Sequence, residues 1–184
     1  MDLSVKIKYD YYEWMMYSRG DMYNRVDINW PCVDVMHSLK EGVDPDNHAV
    51  GGLTGEFERP DADVPIYDYW TTGNGVKCIS PGLQKTLHLI CEPGSLLCVP
   101  LKAVERVTRI NMPPMFLLFC TVVISKFDLQ MALKQLEVPL PAALDRKIFR
   151  PKTDRGTIIV RGDVKKELER GGFSNLGFEK QRYY

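Results

Sequence analysis

The longest uninterrupted apolar run is the feature that most limits what this chain can fold into. It extends from Met115 to Ser125, reads MFLLFCTVVIS, and follows Pro113 and Pro114. A membrane-spanning helix needs roughly 20 apolar residues, about twice this length. The run is rich in β-branched and aromatic residues, and the two prolines, which cannot donate to a sheet ladder, mark its start. The pattern therefore predicts a central strand that is buried on both faces.

Length, charge and cysteine usage set the broad class. The chain has 184 residues, which favours one domain with a substantial core. Its 24 basic and 24 acidic side chains cancel, so no chain-wide field attracts nucleic acid or an anionic membrane. The N-terminal MDLSVKIKYD lacks an apolar signal segment, and the five cysteines lack paired spacing. We therefore expect an intracellular protein, not secreted, without a transmembrane segment.

Before the central run, periodicity and turn signals predict a strand, a helix and two hairpins. Residues 3–12 alternate as a half-buried strand does, and large side chains continue to residue 17. Asn29 can cap a helix from Pro31 to Lys40. An Asn-Gly turn predicts a hairpin between residues 66–71 and 76–79. Pro93-Gly94 predicts another between Leu87–Cys91 and Leu96–Val99, although a helix capped by Ser80 competes with its first arm.

After the central run, Ser125 and Asp128 resemble a capping box, and leucines repeat along one helix face from Leu129 to Leu136. A short strand follows at Thr157–Val160, and Asp163 can cap a last helix. No internal repeat is visible. We therefore predict an α+β fold, a single domain over residues 1–172 with a central, mostly antiparallel sheet, two or three short flanking helices and a C-terminal tail, residues 173–184.

Charge is distributed unevenly along the chain. Between residues 41 and 70, eight acidic side chains face only Arg59, and residues 43–65 are predicted to form a long exposed acidic loop. Residues 145–184 carry eleven basic and six acidic side chains. The two regions can pair between copies of the chain, or both can be solvated surface. The candidate acidic side is Asp44, Asp46, Glu56, Glu58, Asp61 and Asp63, and the candidate basic side is Arg146, Lys147, Arg150, Lys152, Arg155, Lys165 and Lys166.

Aromatic residues near the N-terminus support an alternative function. Tyr9, Tyr11 and Trp14, close to Lys6 and Lys8, can form a stacking platform for single-stranded nucleic acid, although aromatics at strand spacing usually pack a core. Together with the C-terminal basic residues, this platform indicates an intracellular nucleic-acid-binding accessory protein, with RNA binding and suppression of host defence as its expected roles. Signatures of nucleophilic catalysis or phosphate binding are absent from the sequence, and the cysteines lack metal-ligand spacing. We therefore expect a protein that is not an enzyme, with buried thiols and with no cofactor and no metal.

The order of predicted elements resembles the core of rhabdovirus matrix proteins, in particular the short type found in plant-infecting members. The corresponding segments are Leu3–Tyr17, Pro31–Lys40, Ile66–Val99, Met115–Ser125, Leu129–Leu136 and Thr157–Val160. The resemblance implies a structural viral protein of the host cytoplasm and the virion interior. It would self-associate, condense the nucleocapsid and contact the inner face of an anionic membrane. It covers an order of elements and no residue motif, so it assigns no binding residues.

Overall fold

The computed structural model describes residues 9–16, 25–41, 53–58, 67–72, 75–133, 146–154 and 156–181. These residues form an α+β fold, which confirms the predicted class. The helices are α1 (Val33–Lys40), α2 (Pro81–Ile90), α3 (Lys126–Leu133) and α4 (Gly162–Arg170). The strands are β1 (Tyr11–Met16), β2 (Arg25–Asn29), β3 (Thr54–Glu58), β4 (Tyr69–Thr72), β5 (Lys77–Ile79), β6 (Leu96–Glu105), β7 (Met115–Cys120), β8 (Val123–Ile124), β9 (Ile148–Pro151), β10 (Ile159–Arg161) and β11 (Leu176–Lys180).

The strands form a closed barrel and a separate sheet, so the prediction of one central sheet is wrong. The barrel has six strands in the order β2-β3-β6-β7-β5-β4, and a parallel pairing of β4 with β2 closes it. The second sheet has five strands in the order β11-β1-β10-β9-β8. Closure removes the exposed edges that an open sheet would leave.

The long apolar run is divided between these two sheets. Its first part, β7, lies inside the barrel between β5 and β6, and is buried along both faces as predicted. Leu117 and Phe119 face the barrel interior, whereas Leu118 and Cys120 face outward into a second apolar cluster. The last part of the run is β8, which pairs with β9 in the other sheet.

The barrel interior is filled by side chains. Phe57 and Trp70 meet edge to face with ring centroids 4.1 Å apart, a favoured aromatic geometry. The helix α1 contributes Val35 and Leu39 to the same cluster.

A central cluster lies between the outside of the barrel and the second sheet, where α2 and α4 also pack. Trp14 of β1 stacks on Tyr69 of β4 with centroids 5.1 Å apart, and both are almost fully buried. Each helix buries two side chains four positions apart, Leu83 and Leu87 from α2 and Val164 and Leu168 from α4. A smaller cluster around Phe149 lies on the opposite face of the second sheet.

The predicted hairpin at Leu87–Cys91 is wrong, and the competing helix forms instead. The Ser80 hydroxyl accepts a hydrogen bond from the Leu83 amide at 3.2 Å, and Pro81 occupies the first helical position. The helix places Leu83 and Leu87 on one face and so buries both. The other hairpin, β4 with β5, is confirmed, with Gly75 at a φ of 76° in its turn.

Four further predictions need correction. The acidic segment 43–65 is not all loop, because β3 lies within it and turns Gly55 and Phe57 inward. The segment expected to be a tail supplies β11, which pairs with β1. Asn29 does not cap α1, whose N-cap is Cys32, and Asp163 lies in the first turn of α4 instead of capping it. The capping box of Ser125 and Asp128 is confirmed at the start of α3.

Asp68 joins the start of α2 to the loop before β11. Its carboxylate accepts hydrogen bonds from the Ser80 hydroxyl at 2.6 Å and from the Ser174 amide and hydroxyl, each at 2.9 Å. Burial opposes the charged form, but these hydrogen bonds lower the pKa of Asp68 below its usual range.

We predict that Asp68→Asn lowers the free energy of unfolding at pH 7 by about 1–3 kcal/mol, the usual range for losing hydrogen bonds to a charged group. Because the folded-state pKa is depressed, the stabilisation is present above the unfolded pKa of about 3.9 and is lost as pH falls through the folded value. Urea unfolding at pH 7 and near pH 3 measures this. The difference between wild type and variant should shrink at the lower pH, and the exposed Asp34→Asn is the control. A difference that stays constant across the two pH values would contradict the assignment.

Candidate functional site

A charged surface built from several ion pairs surrounds Arg106, directly after the end of β6. The strands β2 and β3 turn Val26 and Phe57 into the barrel, and the alternation leaves Asp27, Glu56 and Glu58 outside. Arg106 binds all three carboxylates: its Nη2 lies 2.5 Å from Asp27 Oδ2, its Nη1 2.8 Å from Glu58 Oε2, and its Nε 3.3 Å from Glu56 Oε2. Arg109 adds a contact of 2.6 Å to Glu56. We call these five residues the arginine cluster.

The charged groups of the arginine cluster shift one another's pKa values. The hydrogen bond from Arg109, together with the nearby Arg106, lowers the pKa of Glu56. The hydrogen bond to Asp27 raises the pKa of Arg106. The pairs are solvent-exposed, so each contributes little to stability by itself. Their joint effect is to fix the position of the two arginines over the acidic strands.

A tight turn follows Arg106 and is held by a buried carboxylate. Glu105 is 3% exposed and accepts hydrogen bonds from the backbone amides of Val107 and Thr108. The Glu105 amide in turn donates to the Ile110 carbonyl at 2.8 Å, and the Arg109 amide donates to the Glu105 carbonyl at 3.0 Å. Arg109 has a φ of 59°, a conformation that a residue with a side chain rarely adopts.

Two aliphatic side chains project from this turn. Val107 is 79% exposed and Ile110 is 65% exposed. A single exposed apolar residue is ordinary, but here the backbone beneath the pair is fixed by at least four hydrogen bonds and carries strain at Arg109. The arrangement presents a small apolar tip with charged groups around it. We call residues 105–110 the projecting turn.

A second candidate site is an open cleft of about 260 Å³ where β1 meets the start of α4. Tyr9 and Tyr12 line it together with Lys165 and Lys166. The Arg161 guanidinium lies 4.1 Å from the centre of the Tyr9 ring, and Lys165 Nζ lies 5.1 Å from that of Tyr12. These cation–π contacts leave Tyr9 45% exposed. We call this the tyrosine cleft.

Carboxylates also face the tyrosine cleft and offset its lysines. Asp163 is bound by Arg161 at 2.8 and 2.6 Å, and this pairing lowers the pKa of Asp163. Lys165 is held by Glu169 at 2.7 Å. Asp10 also lines the cleft and pairs with Lys180 at 2.8 Å.

The predicted acidic side is only partly described. Glu56 and Glu58 lie on β3 and are bound by arginines of the same chain. Asp44, Asp46, Asp61 and Asp63 lie outside the described residues.

The predicted basic side is not one surface. Arg150 is 3% exposed and donates from Nε to the Cys120 carbonyl at 3.0 Å, and Lys147 Nζ donates to the Ile90 carbonyl at 2.8 Å, so both hold the fold together. Arg146, Lys152 and Lys166 are exposed, and Arg155 lies outside the described residues.

Two of the three predicted stacking residues are in the core. Tyr11 and Trp14 are each 1% exposed, because the alternation of β1 turns them to the two buried faces of the second sheet. Their rings are not open to a base. The structure does bring Tyr9 next to Lys165 and Lys166, which the sequence could not place together.

The cysteines of the described core are unreactive by position. Burial raises the pKa of Cys78, Cys91 and Cys120 to about 12 and that of Cys98 to about 11, so these thiols are protonated at neutral pH. Among the described residues, His, Cys, Asp and Glu side chains do not gather in a group of three or more that could hold a metal ion. Each described helix falls short of the length and hydropathy needed to cross a bilayer.

Sequence reasoning missed the arginine cluster. Arg106 and Glu56 are 50 positions apart, and only the parallel pairing of β3 with β6 brings them together. A usable signal was the alternation of β6, which ends in Glu105 and continues into the charged and apolar stretch from Arg106 to Ile110.

No protein-family model matches the chain, and a search of curated proteins finds no match.

We predict that Glu105→Gln loosens the projecting turn, because an amide is a weaker acceptor than a carboxylate for two backbone N–H groups. The free energy of unfolding should fall by about 1–3 kcal/mol, and the Val107 and Thr108 amides should exchange faster with solvent. NMR hydrogen exchange measures the second effect. The matched control is Glu179→Gln on the exposed face of β11. Unchanged exchange at Val107 and Thr108 would show that Glu105 does not hold the turn.

Proposed function

We propose that this protein is a non-enzymatic binding protein that recognises another protein molecule through the projecting turn and the arginine cluster. The observation that carries the proposal is the rigid presentation of Val107 and Ile110 by the buried Glu105. A fixed backbone reduces the ordering entropy lost on binding, so an exposed apolar pair on such a turn can contribute more affinity than the same pair on a loose loop.

The composition of this surface supports the proposal. Interfaces between proteins typically combine a small apolar centre with a polar rim, and arginine is enriched in them. Val107 and Ile110 supply the apolar centre here, and Arg106 and Arg109 stand beside them over three carboxylates.

In the matrix-like form of this proposal, the partner is a second copy of the chain. Self-association, condensation of a nucleocapsid, contact with an anionic membrane and a location in the host cytoplasm and virion interior then follow from the resemblance given above. Charge pairing between Glu56 or Glu58 and the basic C-terminal region is less favourable than the sequence indicated, since Arg106 and Arg109 already neutralise these carboxylates. We therefore expect the projecting turn to make the contact between the two copies.

RNA binding is the second candidate, and the tyrosine cleft is what favours it. Tyr9 offers a partly exposed ring, and Lys165 and Lys166 line the same cleft, with Lys165 Nζ 5.1 Å from the centre of the Tyr12 ring. Stacking on tyrosine with lysine near the phosphates is a common way of holding single-stranded RNA. The carboxylates of Asp10 and Asp163 in the same cleft oppose it.

We predict that the protein self-associates with rising concentration and that the double substitution Val107→Asp with Ile110→Asp weakens this at least about tenfold, the effect of 1.4 kcal/mol. Light scattering and sedimentation measure the mass, and circular dichroism checks the fold. The matched control is Leu89→Asp, because Leu89 is also an exposed aliphatic residue, 77% exposed, and belongs to α2 and not to the projecting turn.

A wild-type monomer at every concentration would contradict the matrix-like form. In that case the partner is a different protein. In a pull-down from a lysate of the source cells, the immobilised wild type and Leu89→Asp should then retain the same proteins, and the double variant should lose them. Equal retention by all three would overturn it.

If the tyrosine cleft binds RNA, Tyr9→Ala and Lys166→Ala should each weaken binding of a single-stranded oligonucleotide, whereas the exposed Lys152→Ala should not. Fluorescence anisotropy across a salt series measures this, and affinity should fall as salt rises. Binding that is absent at low salt, or equally weakened by all three substitutions, would exclude the cleft as an RNA site.

A further inference from the structure

The barrel and the second sheet share one strand order. Without β3, the barrel reads β6-β7-β5-β4-β2, and the second sheet reads β11-β1-β10-β9-β8. In both, the first three pairings are antiparallel and the last is parallel. Unrelated sheets would not be expected to agree in order and in the direction of every pair.

The register agrees as well as the order. Phe116 of β7 pairs with Ile79 and Pro100, and Tyr12 of β1 pairs with Val160 and Lys180. Phe116 thus corresponds to Tyr12, Ile79 to Val160 and Pro100 to Lys180. With these residues matched, the other paired residues of the two sheets also match, with no shift of register. The matched residues, barrel first, are Leu118 and Trp14, Leu96 and Leu176, Cys98 and Phe178, Tyr69 and Ile148, Trp70 and Phe149, Cys78 and Ile159, and Val26 and Ile124.

The helices follow the same plan. α2 connects β5 to β6, and α4 connects β10 to β11. Under the strand correspondence, Leu83 matches Val164 and Leu87 matches Leu168, which are the buried residues of the two helices. α1 follows β2, and α3 follows β8, and each has eight residues.

The central cluster consists largely of matched pairs. Tyr69 and Ile148, Ile79 and Val160, and Leu118 and Trp14 all belong to it, as do the paired helix residues. On the faces of the two sheets that point away from the central cluster, matched residues are also buried, but in separate clusters. Trp70 points into the barrel interior, and its counterpart Phe149 points into the cluster beside α3. The two sheets therefore face each other across a core to which they contribute equivalent positions.

The first strand of each unit lies in the other unit's sheet. β1 is the first strand of the sequence but lies between β10 and β11, whereas β7 comes after β6 and lies between β5 and β6. We infer that the chain is an internal duplication of one β-β-α-β-β-α-β unit, residues 11–105 and 115–180, with the first strands exchanged. It corresponds to a strand-swapped dimer joined into one chain.

Exchange makes the two units interdependent. β7 is a central strand of the barrel and β1 is a central strand of the second sheet, so each unit lacks an interior strand without the other. A sheet with a missing interior strand leaves two rows of backbone groups unpaired. Neither unit is expected to fold independently of its partner.

The exchange predicts that damage to the first strand of one unit loosens the other unit. Tyr11 and Met115 are matched positions, but Tyr11 packs on Phe149 in the C-terminal unit and Met115 packs in the barrel of the N-terminal unit. In the full chain, Tyr11→Ala should speed amide exchange in β9 and β10 at least about tenfold more than in β2 and β4, and Met115→Ala should do the reverse.

Hydrogen exchange followed by mass spectrometry measures this pattern, and Met15→Ala, at a partly exposed position on β1, is the control. If each substitution loosens its own unit most, the inference is wrong.

Should either variant fail to fold, a protease site inserted in the full chain between Thr108 and Arg109 gives a second measurement. The cut protein should keep its native mass because each fragment supplies a central strand to the other, and separation of folded fragments in native buffer would overturn the inference.

Discussion

The fold depends on the apolar cluster shared by the barrel and the second sheet. Trp14 stacked on Tyr69 lies in it, and the buried faces of α2 and α4 complete it. Because β1 and β7 each cross into the other unit's sheet, the same residues hold the strands together and hold the units to each other. Burial of apolar surface is the dominant favourable contribution to folding, and the part buried in this cluster cannot be assigned to the barrel or to the second sheet alone.

The two units differ where the candidate function lies. β3 and the far end of β6 have no counterpart among the described residues of the second sheet, and the projecting turn follows β6 directly. These elements close the barrel and carry the arginine cluster. A duplicated scaffold with one added strand thus gains a rigid surface that its other unit does not present, which is a reason to look for partner binding there.

Sequence patterns gave the local elements and missed how they assemble. The Asn-Gly hairpin and the capping box at Ser125 depend on neighbouring residues, and both formed as predicted. The choice between a Pro93-Gly94 hairpin and a Ser80-capped helix depended on where Leu83 and Leu87 could be buried, which local sequence does not contain. The duplication stayed hidden because matched positions such as Tyr69 and Ile148 share burial and not chemistry. The arginine cluster needs a pairing between distant strands, so only Glu56 and Glu58 were anticipated.

The central claim is that barrel and sheet form one cooperative unit, and unfolding followed by separate probes tests it most directly. Trp70 lies inside the barrel and Trp30 packs against the same cluster, whereas Trp14 lies on β1 of the second sheet. Trp14→Phe therefore leaves fluorescence from the barrel alone, and Trp70→Phe leaves Trp14 as the probe of the second sheet beside the Trp30 signal that both variants share. Within each variant, the fluorescence transition should coincide with the loss of circular dichroism in urea, as a two-state protein requires. Two separated transitions, with the barrel still folded after the second sheet has unfolded, would contradict the account.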